Sequence, residues 1–157
     1  MSKSIAYYQS PLGILQITSN GSAITAIRFV DEKPLDQTTS QCPIIDTAIT
    51  QLEEYFAHKR DQFNLPLAPE GGTLFMQQVW SELLKIGYGT TTSYKQIAIA
   101  SGNPKAFRAV GTAIGKNPIA IVIPCHRIIP ASGGIGNYAY GKSVKNKLLQ
   151  LEFRSIK

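Results

Sequence analysis

The sequence turns on one stretch, Ile121, Val122, Ile123, Pro124, Cys125, His126, Arg127, Ile128, Ile129 and Pro130. An apolar run with the pattern of a buried strand stops at Pro124, and a thiol, an imidazole and a guanidinium follow at once. Strands ordinarily end in turn residues. Here the end presents a nucleophile beside a base and a cation, the surroundings that lower a thiol pKa and activate it. A lone Cys-His pair reads more simply as a core cysteine next to a surface His-Arg pair, because free cysteine is among the most buried residue types. The rest of the chain decides between the two.

Charge narrows the partner. Sixteen Lys and Arg against ten Asp and Glu give a formal net charge of +6 and a pI near 9.4, which favours a polyanion, nucleic acid first among them. Cys42 and Cys125 are the only cysteines, far apart and without closely spaced metal ligands, which disfavours a disulfide framework or a zinc site. Neither a secretory start nor an apolar run long enough to span a membrane is present, so the reducing interior of a cell, the cytoplasm, is the expected location. At 157 residues and 43% hydrophobic, the chain suits one domain or two small ones.

Period-2 patterning predicts antiparallel strands over 5–9, 12–18 and 23–30, with Asn20-Gly21 as a hairpin signal. Residues 31–43 read as a polar loop. Helical spacing of Ile44, Ile45, Ala48, Ile49, Leu52, Tyr55 and Phe56 predicts a helix over 44–58, with Cys42 just before it in a structural or incidental role and His58 solvated in its last turn. One more strand is expected over 63–67, and 68–72 is the best linker, dividing the chain into 1–70 and 73–157.

Beyond the linker, Phe75, Val79, Trp80, Leu83 and Leu84 form the stripe of a helix running to about Ile86. Ser93-Tyr94-Lys95-Gln96 is a capping box that opens a second helix, closed before Gly102. Asn103-Pro104 predicts the start of a third, with Ala106, Phe107, Val110, Ala113 and Ile114 on its buried face. Two short helices joined by a glycine-containing turn form a helix-turn-helix pattern, weak alone because many such pairs bind nothing. At about 100° per residue, Arg108 points away from the apolar face, flanked by Lys105 and Thr112 with small Ala109 and Gly111 nearby. One long cation among small residues can approach a groove closely, although a solvated arginine and a first-turn Tyr94 packing on its neighbours explain the same pattern. After a glycine loop over 131–136, Ser143 is expected to cap a last helix whose Val144, Leu148 and Leu151 face the core, with Glu152 at the edge of the stripe. A partly buried carboxylate needs a partner, either in a surface salt bridge or in His126.

Pro124-Cys125-His126-Arg127, preceded by Asn117-Pro118 and followed by Gly136-Asn137-Tyr138, Leu148-Leu149 and Glu152, resembles the active-site region of the O6-alkylguanine-DNA alkyltransferases, the methylated-DNA-protein-cysteine methyltransferases. The likeness runs from about Phe75 to Glu152 and is looser over 1–70. It implies an α+β fold: an amino-terminal ribonuclease-H-like sheet domain, then a mostly helical carboxy-terminal domain with a helix-turn-helix. It also implies repair by irreversible, single-turnover transfer of an alkyl group from O6-alkylguanine, or O4-alkylthymine, to Cys125, without cofactor or metal.

By the same resemblance Glu152 orients His126, which deprotonates Cys125 through a water, and Asn117 braces the turn and the cysteine loop. A monomer enters the minor groove of double-stranded DNA with the damaged base flipped out. Arg108 fills the vacated stack, Tyr94 helps rotate the target phosphate, and Lys105, Ala109 and Thr112 lie alongside. Tyr138, Ala139, Tyr140 and Ile128 line the alkylguanine pocket, where the Ala139 N–H faces O6. Many members carry small residues after the pocket tyrosine, whereas Tyr140 is bulky and narrows the pocket. Two rivals compete: a DNA-binding module without chemistry, whose representatives lack the cysteine kept here, and a cysteine hydrolase or redox enzyme, which leaves the basic helix pair unexplained.

Overall fold

The computed structural model describes residues 3–34 and 42–154. They fall into two compact units, Met1–Glu70 with Pro118–Ala120, and Gly71–Asn117 with Ile121–Lys157.

In the first unit three strands form an antiparallel meander, β1 (Ser4–Ser10), β2 (Gly13–Ser19) and β3 (Ile24–Val30). The expected turn forms between β2 and β3: Gly21 takes φ 96°, and the Asn20 side-chain oxygen accepts the N–H groups of Ser22 and Ala23 at 2.8 and 2.9 Å. Ala6, Leu15, Ile17 and Ala26 are buried, and helix α1 (Pro43–Phe56) lays Ile45, Ala48, Leu52 and Tyr55 against the sheet. That helix ends two residues before the expected boundary, so His58, at φ 60°, lies beyond it and exposed rather than in its last turn. The loop expected over 31–43 lies largely on 35–41, outside the described residues.

The outer edge of β3 is covered by two single bridges, Ile24 to Leu67 and Ile27 to Ile119. The strand expected over 63–67 is reduced to the first of these. Pro66 and Pro69 lack the N–H groups a ladder needs, leaving Pro66 O to accept from Ile24 at 2.8 Å and the Ala68 N–H to donate back at 2.9 Å. Covering the edge removes a template for pairing with another chain.

The second unit opens with α2 (Leu74–Leu83), capped by the Thr73 hydroxyl on the Met76 N–H at 3.1 Å. It buries Val79, Trp80 and Leu83, whereas Leu84, expected on the stripe, lies past the helix end and is exposed. A short strand β4 (Thr92–Ser93) leads into α3 (Tyr94–Ala100), where the Ser93 hydroxyl caps the Gln96 N–H at 3.1 Å as the sequence predicts. The next helix, α4 (Phe107–Gly115), does not begin at Asn103-Pro104. Asn103 closes a turn instead, its side chain accepting from the Lys105 N–H at 3.3 Å and its carbonyl from Ala106 at 3.0 Å. Two expectations change with that boundary: Lys105 sits in the turn, and Phe107 is exposed while Val110, Ala113 and Ile114 carry the buried face. The Trp80 indole N–H ties α2 to α4 through the Ala113 carbonyl at 2.7 Å.

The apolar run before the cysteine is not a strand. Residues 120–123 turn, with Ile121 at φ 72°, and Cys125–Arg127 form a single 3-10 turn before β5 (Ile128–Ile129). Left-handed backbone at a β-branched residue costs on the order of 1–3 kcal/mol and persists only where the surroundings over-determine it; Ile121 is fully buried. The last helix, α5 (Lys142–Arg154), starts one residue before Ser143, which therefore lies within it rather than capping it. Its buried face is Lys145, Leu148, Leu149 and Glu152, with Val144 and Leu151 only half-buried.

Candidate active site and nucleic-acid interface

Strands β4 and β5 pair in parallel, Thr92 with Ile128 and Ser93 with Ile129, which sets the start of α3 beside the Cys125–Arg127 turn. Cys125 is only 4% exposed. The Asn117 amide donates to the Ile123 carbonyl at 2.8 Å and to Cys125 Sγ at 3.2 Å, bracing the turn and touching the thiol with one group. Cys125 and His126 do not project to opposite sides of an extended segment, because the 3-10 turn spaces successive side chains by about 120°. Burial raises the Cys125 pKa, and the Asn117 hydrogen bond and the charge of Lys145 oppose that rise.

His126 is fully buried and meets Glu152 Oε2 through Nε2 at 2.7 Å. A carboxylate only accepts, so Nε2 carries the proton and the Nδ1 lone pair is left as the basic site. That Nδ1 has no hydrogen-bond partner among the described residues. Burial lowers the His126 pKa, with Glu152 opposing, so the ring rests neutral. Glu152 also receives Arg127, Nε on Oε1 at 2.8 Å and Nη2 on Oε2 at 2.9 Å. Burial alone would raise its carboxyl pKa, but the bonds from His126 and Arg127 hold it at about 2. Of the alternatives open to Glu152, the surface salt bridge is excluded, since the carboxylate is 1% exposed.

Sequence reasoning missed Lys145. It is fully buried, and its ammonium donates to the Ile128 carbonyl at 2.6 Å and the Asn137 carbonyl at 3.0 Å, tying the strand after the cysteine to the loop before Tyr138. The signal was present: Lys145, Leu148, Leu149 and Glu152 share the i, i+3, i+4, i+7 spacing of one helix face. Ile128 is fully buried. Gly136, at φ 76°, allows the loop to close, because an added Cβ would come within 2.9 Å of Pro130.

The Tyr138 hydroxyl is buried and has no partner among the described residues, and its ring meets Tyr140 edge-on at 5.7 Å. Burial raises its pKa well above the ordinary value, with a charge at Cys125 adding to the rise. The Tyr94 phenol is raised by burial and then by Cys125, so both tyrosines stand in the field of the thiol. Ala139 is exposed. Arg108, Ala109 and Thr112 are exposed on α4 and Lys105 in the turn before it, apart from this buried cluster.

Charge divides between the units. The second carries eleven Lys and Arg against Glu82 and Glu152, a formal +9, and the first carries five against eight carboxylates, −3, together the chain's +6. One of the two acids of the basic unit is the buried Glu152. Among the described residues no group of three or more His, Cys, Asp or Glu could hold a metal, and no helix is long and apolar enough to cross a membrane.

Two family models match. The 6-O-methylguanine DNA methyltransferase ribonuclease-like domain covers residues 4–69, and the DNA-binding domain of the same name covers 74–154. A methylated-DNA–protein-cysteine methyltransferase of Methanosarcina barkeri is 41% identical over 154 residues, 95% of this chain and 96% of the relative. The protein of that name from Haemophilus influenzae is 42% identical over 151 residues, 93% of this chain and 84% of the relative. A crystal structure of Mycobacterium tuberculosis OGT in complex with DNA superposes with a TM-score of 0.85 at 42% identity, covering 95% of this chain and 92% of that one.

Proposed function

The chain belongs to the 6-O-methylguanine DNA methyltransferase family, and on that premise we propose which of its residues carry out the repair. It binds DNA and reverses alkylation damage by moving the alkyl group onto one of its own cysteines. Cys125 is the acceptor. Cys42, at the start of α1, is surrounded by the Ser4 and Ser19 hydroxyls and by backbone of its own helix, with no role in transfer.

His126 Nδ1 takes the thiol proton through one bridging water, a common occupant of buried polar sites. Glu152 then holds the imidazolium, while the Asn117 N–H and the Lys145 charge favour the thiolate. The thiolate attacks the alkyl carbon in line with its bond to O6; the S–C bond forms as the C–O bond breaks, and the bonding pair leaves with the oxygen. The proton returns from His126 to the base, which becomes ordinary guanine, or thymine when O4-alkylthymine is the substrate. A thioether has no ready leaving group, so each molecule acts once. No step calls for a cofactor.

The target atom lies inside the duplex, so the base must be extruded at a cost of about a few kcal/mol. Helices α3 and α4 of one monomer enter the minor groove, Arg108 fills the vacated stack, and Tyr94, beside the thiol, turns the target phosphate. Lys105, Ala109 and Thr112 lie along the groove walls. Tyr138, Ala139, Tyr140 and Ile128 form the pocket for the extruded base, with the Ala139 N–H donating to O6. A thiol that must stay reduced suits the cytoplasm.

The observation that carries this reading is the convergence of two hydrogen bonds on one turn, Asn117 to Cys125 at 3.2 Å and His126 to Glu152 at 2.7 Å. Intact-protein mass spectrometry after incubation with duplex DNA containing O6-methylguanine tests it. One added methyl, mapped to Cys125 and absent with undamaged DNA, is the expected result. A methyl mapped to Cys42, or none with the DNA still bound, overturns it.

A further inference from the structure

Phe107 does not belong where the sequence pattern puts it. With the helix start displaced to Phe107, its ring is 49% exposed on the first residue of α4, next to the exposed Arg108. At about 100° per residue, Phe107 stands at the edge of the buried face of Val110, Ala113 and Ile114, about 20° from Ile114, and Gly111, Arg108 and Thr112 follow it round to the opposite side. Gly111 stands one turn beyond Phe107, and a Cβ added there would meet nothing within 4 Å, so the surface beside the ring is open. This face belongs to the unit with a formal charge of +9, which suits a polyanion. An exposed aromatic ring among cations fits a duplex better than it fits water, because minor-groove proteins insert apolar side chains between base steps and unstack them.

We propose that Phe107 is a second wedge, apolar where Arg108 is cationic, that enters the minor groove at a base step other than the one Arg108 fills. This rests on the reading that α4 docks in that groove. The two side chains leave the first turn about 100° apart, so they cannot share one step. Arg108 occupies the space of the extruded base, whereas Phe107 loosens the neighbouring stack and bends the duplex around it. Its contribution comes from desolvation and stacking, not from phosphate neutralisation, so it is insensitive to salt.

The test uses the full chain with a short undamaged duplex, read by fluorescence anisotropy across a salt series, and the same duplex end-labelled to report bending by energy transfer. Phe107→Ala should weaken binding about tenfold at every salt concentration, leave the slope against salt unchanged and reduce the bend. Phe107→Leu should keep most of the affinity. Arg108→Ala serves as the separate check on docking: it should lower the slope and abolish the fluorescence change of a flipped 2-aminopurine. Wild-type affinity and bend in Phe107→Ala would overturn the wedge while Arg108→Ala still behaved as stated; if neither variant changed binding, the groove docking itself would fall.

Discussion

Arg127 clasps Glu152 with two guanidinium nitrogens, Nε on Oε1 at 2.8 Å and Nη2 on Oε2 at 2.9 Å. The carboxylate that holds His126 therefore already has its charge matched. An imidazole whose partner is shared feels less pull toward the protonated state, and Arg127 adds a direct repulsion, so His126 rests neutral with Nδ1 free to accept a proton. Arg127 is a positioning residue: it also donates to the Ile86 carbonyl at 2.7 Å and lies 5.7 Å from the centre of the Tyr88 ring.

Removing that clasp should both loosen the fold and raise the base. Arg127→Met removes both guanidinium bonds from Glu152, and breaking a buried pair costs about 3–5 kcal/mol, read by denaturant unfolding. The His126 ring, relieved of the guanidinium charge, should titrate at higher pH by NMR than in the unaltered protein. Arg127→Lys should restore only part of the stability, since an ammonium cannot bridge both oxygens.

Acid should unfold the protein through Glu152. Its carboxyl pKa falls from 4.5 to about 2 on folding, so the stability it lends is complete above about 4.5 and disappears as pH drops from there through about 2. Melting temperatures measured across that window should decline steeply. Glu152→Gln should lower the melting temperature at neutral pH and flatten that part of the curve.

Local chemistry explains what the sequence disclosed. Asn20-Gly21 and the Ser93 cap are side chains bonding backbone within four residues, and both formed as read. The boundaries that moved depend on competition between neighbouring local bonds. Asn103 had two uses for its side chain, a helix cap or a turn, and the turn formed, which carried Lys105 off the helix and Phe107 to the surface. The run 121–123 has strand composition, yet Ile121 is left-handed because burial and the Asn117 bond to Ile123 fix the turn instead. The pairing of Glu152 with His126 could be suspected from the chemistry of Cys125. Lys145 was signalled only by its place on the helix face of Leu148, Leu149 and Glu152, since a lysine satisfied by two carbonyls leaves no complementary charge in the sequence to find it by.

Lys145 should matter to the rate before it matters to DNA. Lys145→Met removes a cation that favours the thiolate and a link between Ile128 and Asn137, so transfer to Cys125 should slow by more than about tenfold, a change of about 1.4 kcal/mol in the barrier. Affinity for undamaged duplex should hold. If the effect is electrostatic, the pH dependence of Cys125 alkylation by iodoacetamide should move to higher pH. A slower reaction with an unmoved profile would assign Lys145 to loop anchoring alone.

Tyr140 should set the size of alkyl group accepted. Its ring stands edge-on to Tyr138 at 5.7 Å, so it borders the residue proposed to face the extruded base. A methyl group projects little beyond O6, but a benzyl group needs room for a second ring, and the space beside Tyr138 is already taken. Methyl transfer should therefore be much faster than benzyl transfer in the unaltered protein. Tyr140→Gly should raise the benzyl rate by at least about tenfold, lowering its barrier by about 1.4 kcal/mol, with little change for methyl. A glycine there also frees the loop, so Tyr140→Ala, which removes the ring with less gain in backbone freedom, separates the two causes. Equal benzyl rates in Tyr140→Ala and the unaltered protein would show that the ring is no barrier.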